Sequence, residues 1–369
     1  MSETRAILIA AGGTGGHLFP AQALASALAV RGVAVELATD DRALKYGANF
    51  PARAIHAIPS ATPTGAGLVS KARAALVLGR GVLVARSLIK KIAPLAVVGF
   101  GGYPTVPPLV AASWLRLPTL LHEQNAVMGR ANRFLAHRVG AIATGFPALT
   151  GVDEKIRGKT HYTGNPVRPA VITAAATPFP NFADGRLRVL VTGGSQGARV
   201  MADVVPAALA LLTESERQRL SLTQQARGED RQRVAAACAR LNFPAEVAEF
   251  FPNLPDRIAS SHLVIGRAGA STVSELAVIG RPSILVPFPH ALDQDQAANA
   301  ATLAASGAAE VVPQKEFTPE RLAASLRKAL VDPAPLAAAA AAAKMAGVPD
   351  AAERLADLVL AIAKIETRH

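Results

Sequence analysis

The chain has 369 residues, enough for two domains of ordinary size, because single hydrophobic cores rarely grow beyond about 250–300 residues. Half of the residues are hydrophobic and only 4% are aromatic, so we expect a globular α/β protein with an aliphatic core. The single cysteine, Cys238, excludes a disulfide framework and a cysteine-based metal site, and it suits a reducing cytosol. The sequence shows no signal-peptide pattern and no apolar run approaching ~20 residues, so we expect a chain that is neither secreted nor membrane-spanning.

The net charge of +12 is unevenly distributed. No acidic residue occurs between Asp41 and Glu123, whereas ten Lys and Arg residues fall in that interval. The first half therefore has a strongly positive face, which suits nucleic acid, an anionic membrane or a phosphorylated substrate. A solvated helix face in a basic protein is the alternative.

The stretch Ile7–Pro20 (ILIAAGGTGGHLFP) predicts a strand, a glycine loop and a helix running from Pro20 to Arg31. Glycines at this junction allow backbone N–H groups to approach an anion closely. His17 follows the glycines directly, which makes it a candidate for chemistry at the same place. A tight turn with a surface histidine is the alternative.

Apolar runs and helical segments then alternate, which predicts βαβ units and a parallel sheet. The stretch 188–209 (RVLVTGGSQGARVMADVVPAAL) repeats the strand, glycine loop and helix of the opening. Two such openings about 180 residues apart predict two Rossmann-like domains. Neither loop has the G-x-G-x-x-G spacing, so a dinucleotide cofactor is disfavoured.

The segment 65–93 mixes apolar and cationic residues in one or two predicted helices. This mixture favours a patch that sinks shallowly into lipid while its cations meet anionic headgroups. A crossover helix that packs its apolar face on the sheet is the alternative, and the two interpretations are compatible. The candidate membrane patch comprises Leu68, Lys71, Leu76, Arg80, Leu83, Arg86, Lys90 and Lys91.

Two stretches carry the remaining candidate chemistry. In Leu263–Glu275 (LVIGRAGASTVSE) a strand is expected to deliver Arg267 and Gly269 to a helix N-terminus suited to phosphate, and Glu275 can accept hydrogen bonds from ribose hydroxyls. The helix is expected to run from Thr272 to Ile279, and Thr272-x-x-Glu275 is also a possible capping box. His122 and Glu123, in HEQN at the end of another strand, join His17 as candidate bases, whereas the D-x-D string at 293–295 fits a helix start better than a metal site.

Six motifs, in this order and at these separations, resemble those of the MurG family, the UDP-N-acetylglucosamine transferases of peptidoglycan synthesis in glycosyltransferase family 28. They are GGTGGHLFP (12–20), GGYPTVPP (101–108), HEQN (122–125), GNPVR (164–168), GGSQGA (193–198) and RAGASTVSE (267–275). The resemblance implies an α/β fold of the GT-B type, with two Rossmann-like domains facing across a cleft. It implies an acceptor- and membrane-binding domain at 1–168, joined by a C-terminal helix at about 350–369, and a UDP-GlcNAc-binding domain at 169–345.

The resemblance also implies the reaction. N-acetylglucosamine passes from UDP-GlcNAc to the C4 hydroxyl of N-acetylmuramic acid in lipid I, with inversion, giving lipid II, and no metal or other cofactor is essential. His17 is the preferred general base, with Glu123 and His122 as alternates. The residues expected to bind substrate are Thr14, Gly15, Gly16, Asn125, Arg168, Ser195, Phe251, Ala270, Ser271, Thr272, Val273, Ser274, Glu275 and Gln296.

Within that group the resemblance assigns local roles. Arg168 and Ser195 lie near the diphosphate, Phe251 where uracil is held, and Gln296 at the GlcNAc hydroxyls. A polyprenyl-linked acceptor implies a peripheral enzyme on the cytoplasmic face of the inner membrane, with an anionic membrane surface and proteins of cell-wall synthesis and division as partners. Nucleic acid is not expected, because no aromatic-rich strand accompanies the basic face. Another UDP-sugar enzyme of the same fold, such as an epimerase, or a non-catalytic nucleotide- or lipid-binding protein, is the alternative.

Overall fold

The computed structural model describes residues 5–12, 15–40, 50–62, 67–194, 197–291 and 294–365, with Leu68 described by its backbone alone. Its internal contacts divide the chain into two compact units. The N-terminal unit comprises residues 1–168 and 349–369, and the C-terminal unit comprises residues 169–348. Both contain a parallel β-sheet covered by helices, so the predicted α/β fold of two Rossmann-like units is confirmed.

The N-terminal sheet has seven parallel strands in the order β3-β2-β1-β4-β5-β6-β7. The strands are β1 (Ile7–Ala10), β2 (Val35–Thr39), β3 (Ala54–Ala57), β4 (Ala96–Gly99), β5 (Thr119–Glu123), β6 (Ala141–Thr144) and β7 (Thr160–Tyr162). The helices of this unit are α1 (Gly15–Val30), α2 (Leu68–Ile92), α3 (Val106–Trp114), α4 (Arg130–Ala136) and α5 (Glu154–Arg157), with a 3₁₀ turn at Tyr103–Thr105.

Alternate residues of β1 build the two faces of this sheet. Ile7 and Ile9 pack with α1, whereas Leu8 and Ala10 pack with α2, α3 and α4. Because both faces are covered, the central strands β1 and β4 are continuously apolar rather than alternating with polar residues.

The C-terminal sheet has six parallel strands in the order β10-β9-β8-β11-β12-β13. The strands are β8 (Leu187–Thr192), β9 (Leu220–Gln225), β10 (Ala245–Ala248), β11 (Leu263–Gly266), β12 (Ser283–Leu285) and β13 (Ala309–Val311). The helices are α6 (Pro169–Ala174), α7 (Arg199–Ala210), α8 (Glu214–Gln218), α9 (Gly228–Arg240), α10 (Leu254–Ala259), α11 (Ala270–Ile279), α12 (Asp295–Ala305), α13 (Pro319–Val331) and α14 (Ala334–Ala346), with a 3₁₀ turn at Gln314–Glu316.

The last helix, α15 (Ala351–Ile362), belongs to the N-terminal unit. It packs against α1 and buries Leu355, Val359 and Leu360 in the same core as Ile7 and Ile9. Arg31 at the end of α1 also pairs with Asp357 at 2.6 Å. The C-terminal end of the chain therefore completes the core of the first unit.

Two predicted helix starts are wrong. Helix α1 begins at Gly15 rather than Pro20, so two of the four glycines lie in its first turn, where burial of Leu18 and Ala21 outweighs the poor helix propensity of glycine. Helix α11 begins at Ala270 with Gly269 as its N-cap residue, so Thr272 is not the N-cap and the capping-box interpretation of Thr272 and Glu275 is also wrong.

Candidate active site

In both sheets the strand order reverses between two neighbouring central strands, β1 and β4 in one and β8 and β11 in the other. Ligands of open α/β proteins bind outside the carboxyl ends of the strands at such a switch point. In the N-terminal unit, β1 leads into α1, which contains His17, and β4 is followed by the turn at residues 100–102. The neighbouring strand β5 ends in His122 and Glu123.

A chain of hydrogen bonds joins the side chains at this switch point. The His17 ring bonds through Nδ1 to Oε1 of Gln124 at 3.3 Å. Nε2 of Gln124 donates to the Phe100 carbonyl at 2.8 Å and lies 3.2 Å from Nδ1 of His122. Nε2 of His122 in turn lies 3.2 Å from the Gly164 carbonyl. The structure thus links two of the three candidate bases through a residue between them.

Burial determines the protonation of both histidines. It lowers the pKa of His122 to about 4, with a hydrogen bond to Gly164 opposing the shift and the charge of His17 adding to it. Burial also lowers the pKa of His17, against the hydrogen bond to Gln124 and the nearby Phe100 carbonyl, which both favour the charged ring. Both rings are therefore neutral at physiological pH, as a general base must be before it accepts a proton.

Glu123 has a different arrangement. Its Oε1 accepts from the backbone N–H of Asn125 at 3.0 Å, and its Oε2 accepts from the N–H of Gly129 at 3.0 Å and from Nδ2 of Asn132 at 2.7 Å. Burial raises the pKa of this carboxyl, and the donated hydrogen bonds oppose the rise. Because both oxygens are engaged, the geometry favours Glu123 as the residue that orders the 125–132 loop, and it favours His17 over Glu123 as the base.

Two glycines lie beside the His17 ring. Gly101 and Gly102 have φ values of 85° and 72°, which side-chain-bearing residues rarely adopt. A Cβ on Gly102 would lie 3.4 Å from Nε2 of His17, and one on Gly101 would lie 3.1 Å from the amide of the buried Asn132. The ring edge that carries Nε2 thus faces backbone without side chains.

Among the other predicted residues of this unit, Gly15 packs tightly against the Phe19 ring, since a Cβ there would lie 2.9 Å from it. The Arg168 guanidinium lies over the same ring at 4.8 Å. Gly16 is exposed at the start of α1, whereas Thr14 lies outside the described residues. The structure therefore brings Gly15 and Arg168 together through Phe19.

In the C-terminal unit, the glycine loop after β8 is held by Gln225. Its Oε1 accepts from the Thr192 hydroxyl at 2.9 Å and from the Gly193 N–H at 3.2 Å. A Cβ on Gly193 would lie 2.3 Å from the Ala198 nitrogen, so only glycine fits this turn. Ser195, the predicted diphosphate residue of this loop, lies outside the described residues.

Helix α11 follows the neighbouring strand β11. Because its N-cap residue Gly269 has no side chain, it cannot cap the N–H groups of residues 270–272. Ala270, Val273 and Glu275 are buried, and Ser271, Thr272 and Ser274 are half-buried. The positive end of the helix dipole here suits a phosphate group.

The side chain of Arg267, just before this helix, is not directed to the phosphate-binding position at the helix start. Its guanidinium is buried and donates to the carbonyls of Val286 and Pro287 at 3.0 and 3.2 Å and to Oε1 of Gln314 at 2.6 Å. Delivery of this side chain to the helix N-terminus, as the sequence suggested, is therefore wrong. Arg267 instead holds the segment after β12.

Gln296 lies in the first turn of α12, where its Oε1 accepts from the Phe288 N–H at 3.0 Å. Asp295 Oδ1 accepts from the Gln296 N–H at 2.8 Å, and Asp293 of the D-x-D string lies outside the described residues. The Phe251 ring is buried beneath the Arg257 guanidinium, whereas Phe250 is 71% exposed. Phe251 can therefore offer a ligand its backbone but little of its ring.

The predicted membrane patch lies on one continuous helix, α2, which contains no acidic residue. Its exposed apolar residues include Val69, Leu76 and Leu83, which are 83%, 75% and 64% exposed. At 3.6 residues per turn, they share an arc of about 100° with several cations. These are Arg73, Arg80, Lys90 and Lys91. Within the described ranges, no helix combines the length and apolarity needed to cross a bilayer.

The N-terminal and C-terminal domain models of glycosyltransferase family 28 match residues 7–144 and 188–355. Proteins from Methylobacterium nodulans and Rhodopseudomonas palustris are 58% and 57% identical over 96% and 99% of this chain, and over 96% and 100% of their own lengths. Both are named UDP-N-acetylglucosamine–N-acetylmuramyl-(pentapeptide) pyrophosphoryl-undecaprenol N-acetylglucosamine transferase. This chain belongs to the MurG family. The Acinetobacter baumannii MurG crystal structure, 29% identical, matches it with a TM-score of 0.77 over 97% of this chain and 99% of that one.

The structure of this MurG family member also reveals residues that sequence reasoning missed. Gln124 lies inside the HEQN motif, but its neutral side chain is not a candidate acid or base, so the sequence does not single it out. Trp114 and Phe134 are 63% and 50% exposed on α3 and α4, and the Arg138 guanidinium lies over the Phe134 ring at 4.3 Å. Exposed aromatic residues beside cations are a signal of membrane interfaces, but their exposure cannot be read from the sequence.

Proposed function

We propose that this chain transfers N-acetylglucosamine from UDP-GlcNAc to the C4 hydroxyl of N-acetylmuramic acid in lipid I, giving lipid II. The observation that carries this proposal is the 58% identity to a transferase so named, over nearly the whole of both chains. The neutral, hydrogen-bonded His17 at the carboxyl end of the N-terminal sheet supports it, because the reaction needs a base at the edge of the sheet where ligands bind.

UDP-GlcNAc is proposed to bind the C-terminal unit at the glycine loop after β8 and at the start of α11. As the glycosidic bond forms, negative charge grows on the leaving UDP. The uncapped N–H groups and dipole of α11 stabilise that charge without rearranging. Glu275 accepts hydrogen bonds from ribose hydroxyls, and the amide NH₂ of Gln296 donates to a sugar hydroxyl, since its Oε1 is engaged with Phe288.

His17 is proposed as the general base. The acceptor oxygen attacks C1 of the GlcNAc unit while its proton passes to Nε2 of His17. The bond from C1 to the β-phosphate oxygen breaks, and UDP leaves with the electron pair. Attack on the face opposite the leaving group inverts the configuration at C1.

The α2 face is proposed to bind anionic lipid from the cytoplasmic side, which places the protein on the membrane that holds its polyprenyl-linked acceptor. Its apolar side chains enter the headgroup region, and each nearby cation adds about 1 kcal/mol. Trp114 on α3, which packs against α2, and Phe134 on α4 are further exposed aromatic side chains of the same unit. Cell-wall synthesis and division proteins are the partners expected at that place.

Replacement of His17 by Ala tests the catalytic proposal. We expect the turnover number with a soluble lipid I analogue to fall by about 10²- to 10⁴-fold, the usual contribution of a positioned base. UDP affinity, measured by calorimetry, stays unchanged because the nucleotide site is assigned to the other unit. Unchanged turnover would remove His17 from this role, and turnover with a different acceptor alone would favour another UDP-sugar enzyme of the family's fold.

A further inference from the structure

The hydrogen-bond chain at the N-terminal site begins and ends at backbone carbonyls. At one end the Phe100 carbonyl accepts a hydrogen bond from Gln124. At the other end the Gly164 carbonyl lies 3.2 Å from Nε2 of His122. A carbonyl oxygen can only accept, so each of these contacts fixes the identity of the atom opposite it. The direction of every proton between them follows.

The Gln124 amide is oriented by the first carbonyl. Its NH₂ group must face Phe100 O, so its Oε1 must face His17, and Oε1 can only accept. Nδ1 of His17 therefore carries the proton. In a neutral imidazole this leaves Nε2 as an unprotonated acceptor.

The second carbonyl orients His122 in the same sense. Nε2 of His122 donates to Gly164 O, so its Nδ1 is an acceptor. It lies 3.2 Å from Nε2 of Gln124 and shares the second N–H of that amide with the His122 carbonyl at 3.3 Å. A protonated His122 would present N–H groups to both Gly164 and Gln124 and would break this chain. Among the described residues, His122 on β5 is the ionisable group whose charge is coupled to His17, and it is neutral at physiological pH.

We propose that Gln124 is a positioning residue that holds His17 in its Nδ1–H tautomer and so presents an unprotonated Nε2 to the acceptor hydroxyl. His122 fixes the orientation of the Gln124 amide by accepting a hydrogen bond from it. This inference rests on the proposed role of His17. Its geometric basis is the direction imposed by two carbonyls, together with the side-chain-free backbone of Gly102 facing Nε2.

The tautomer itself is measurable without any reaction. In ¹⁵N-histidine spectra of the full ligand-free chain, protonated and unprotonated ring nitrogens resonate differently, and loss of one set of signals in His17→Ala assigns the ring among eight histidines. We expect His17 to be protonated at Nδ1. A wild-type ring protonated at Nε2 would overturn the proposal even if the transferase is active.

Gln124→Met tests the consequence, because Met retains the shape but neither donates nor accepts strongly. We expect a mixture of His17 tautomers and a fall in kcat of about 10- to 100-fold. The fall is smaller than the full contribution of a general base, because part of the His17 population keeps the productive tautomer. KM for UDP-GlcNAc should not change. Full kcat with mixed tautomers, or reduced kcat with the wild-type tautomer, would overturn the proposal.

Gln224→Met is the matched control, since Gln224 is also fully buried and donates to a backbone carbonyl, that of Met201 at 3.2 Å. It should lower the melting temperature by a similar amount while leaving kcat and the His17 tautomer unchanged. If the wild-type chain shows no transfer to lipid I at all, the proposed function fails, whereas the spectra still report on the tautomer.

Discussion

Reversing the charge of Lys90 and Lys91 should detach the protein from anionic membranes. Both side chains are exposed near the end of α2, on the arc that also carries Leu76 and Leu83. Lys90→Glu with Lys91→Glu removes two attractions of about 1 kcal/mol each and adds two repulsions of similar size. The total is about 4 kcal/mol, which corresponds to a several-hundredfold weaker partition at low salt.

Cosedimentation with vesicles of anionic and of zwitterionic phospholipid measures this effect. Arg231→Glu with Arg240→Glu is the matched control, because it makes the same charge change on exposed residues of α9 in the C-terminal unit. We expect the control to bind anionic vesicles almost as the wild type does, and turnover with a soluble acceptor to survive in both variants. Equal loss in both variants would show that net charge alone governs binding, and no loss in either would refute the role of α2.

Three further changes test other parts of the account. Glu275→Ala should weaken UDP binding about 10- to 100-fold, the cost of removing hydrogen bonds to a charged group, and calorimetry showing full affinity would contradict its ribose role. Leu355→Ala, at a fully buried position of α15, should lower the free energy of unfolding by about 2–5 kcal/mol in urea titrations, and an effect below 1 kcal/mol would mean that α15 adds little to that core. Burial opposes ionisation of Glu36, but Arg53 and His56 outweigh it and lower its pKa, so this cluster stabilises the fold above pH 4.5 and loses that effect as pH falls through the lowered pKa. Arg53→Met should therefore cost about 1–2 kcal/mol at pH 6 and much less once the pH falls below the lowered pKa of Glu36, and a pH-independent cost would contradict the linkage.

The sequence predicted the fold well where the signals are local. Buried parallel strands such as β8 and β11 are short apolar runs followed by glycine turns, and they are found at their expected places. The short edge strands β7 and β13 have no buried apolar run, so the sequence does not predict them. The start of α1 was misplaced because glycine disfavours helix locally, whereas tertiary packing decided it.

The sequence predicts which residue types form the site, but it does not predict how their side chains are oriented. A sequence identifies Arg267 as a cation near a helix start, but only the structure shows that its guanidinium turns to the carbonyls after β12. Likewise, HEQN predicts a polar strand end. The orientations of its His122 and Gln124 side chains depend on hydrogen bonds to the carbonyls of Gly164 and Phe100, which are distant in sequence. Long-range hydrogen bonds of this kind leave no local pattern.

The most direct test of the central claim is release of UDP from UDP-GlcNAc by the purified full chain, with a lipid I analogue added or withheld and EDTA present in both reactions. We expect release that depends on the analogue, together with a product that contains both sugars. UDP-GlcNAc binding without analogue-dependent release would contradict lipid I as the acceptor.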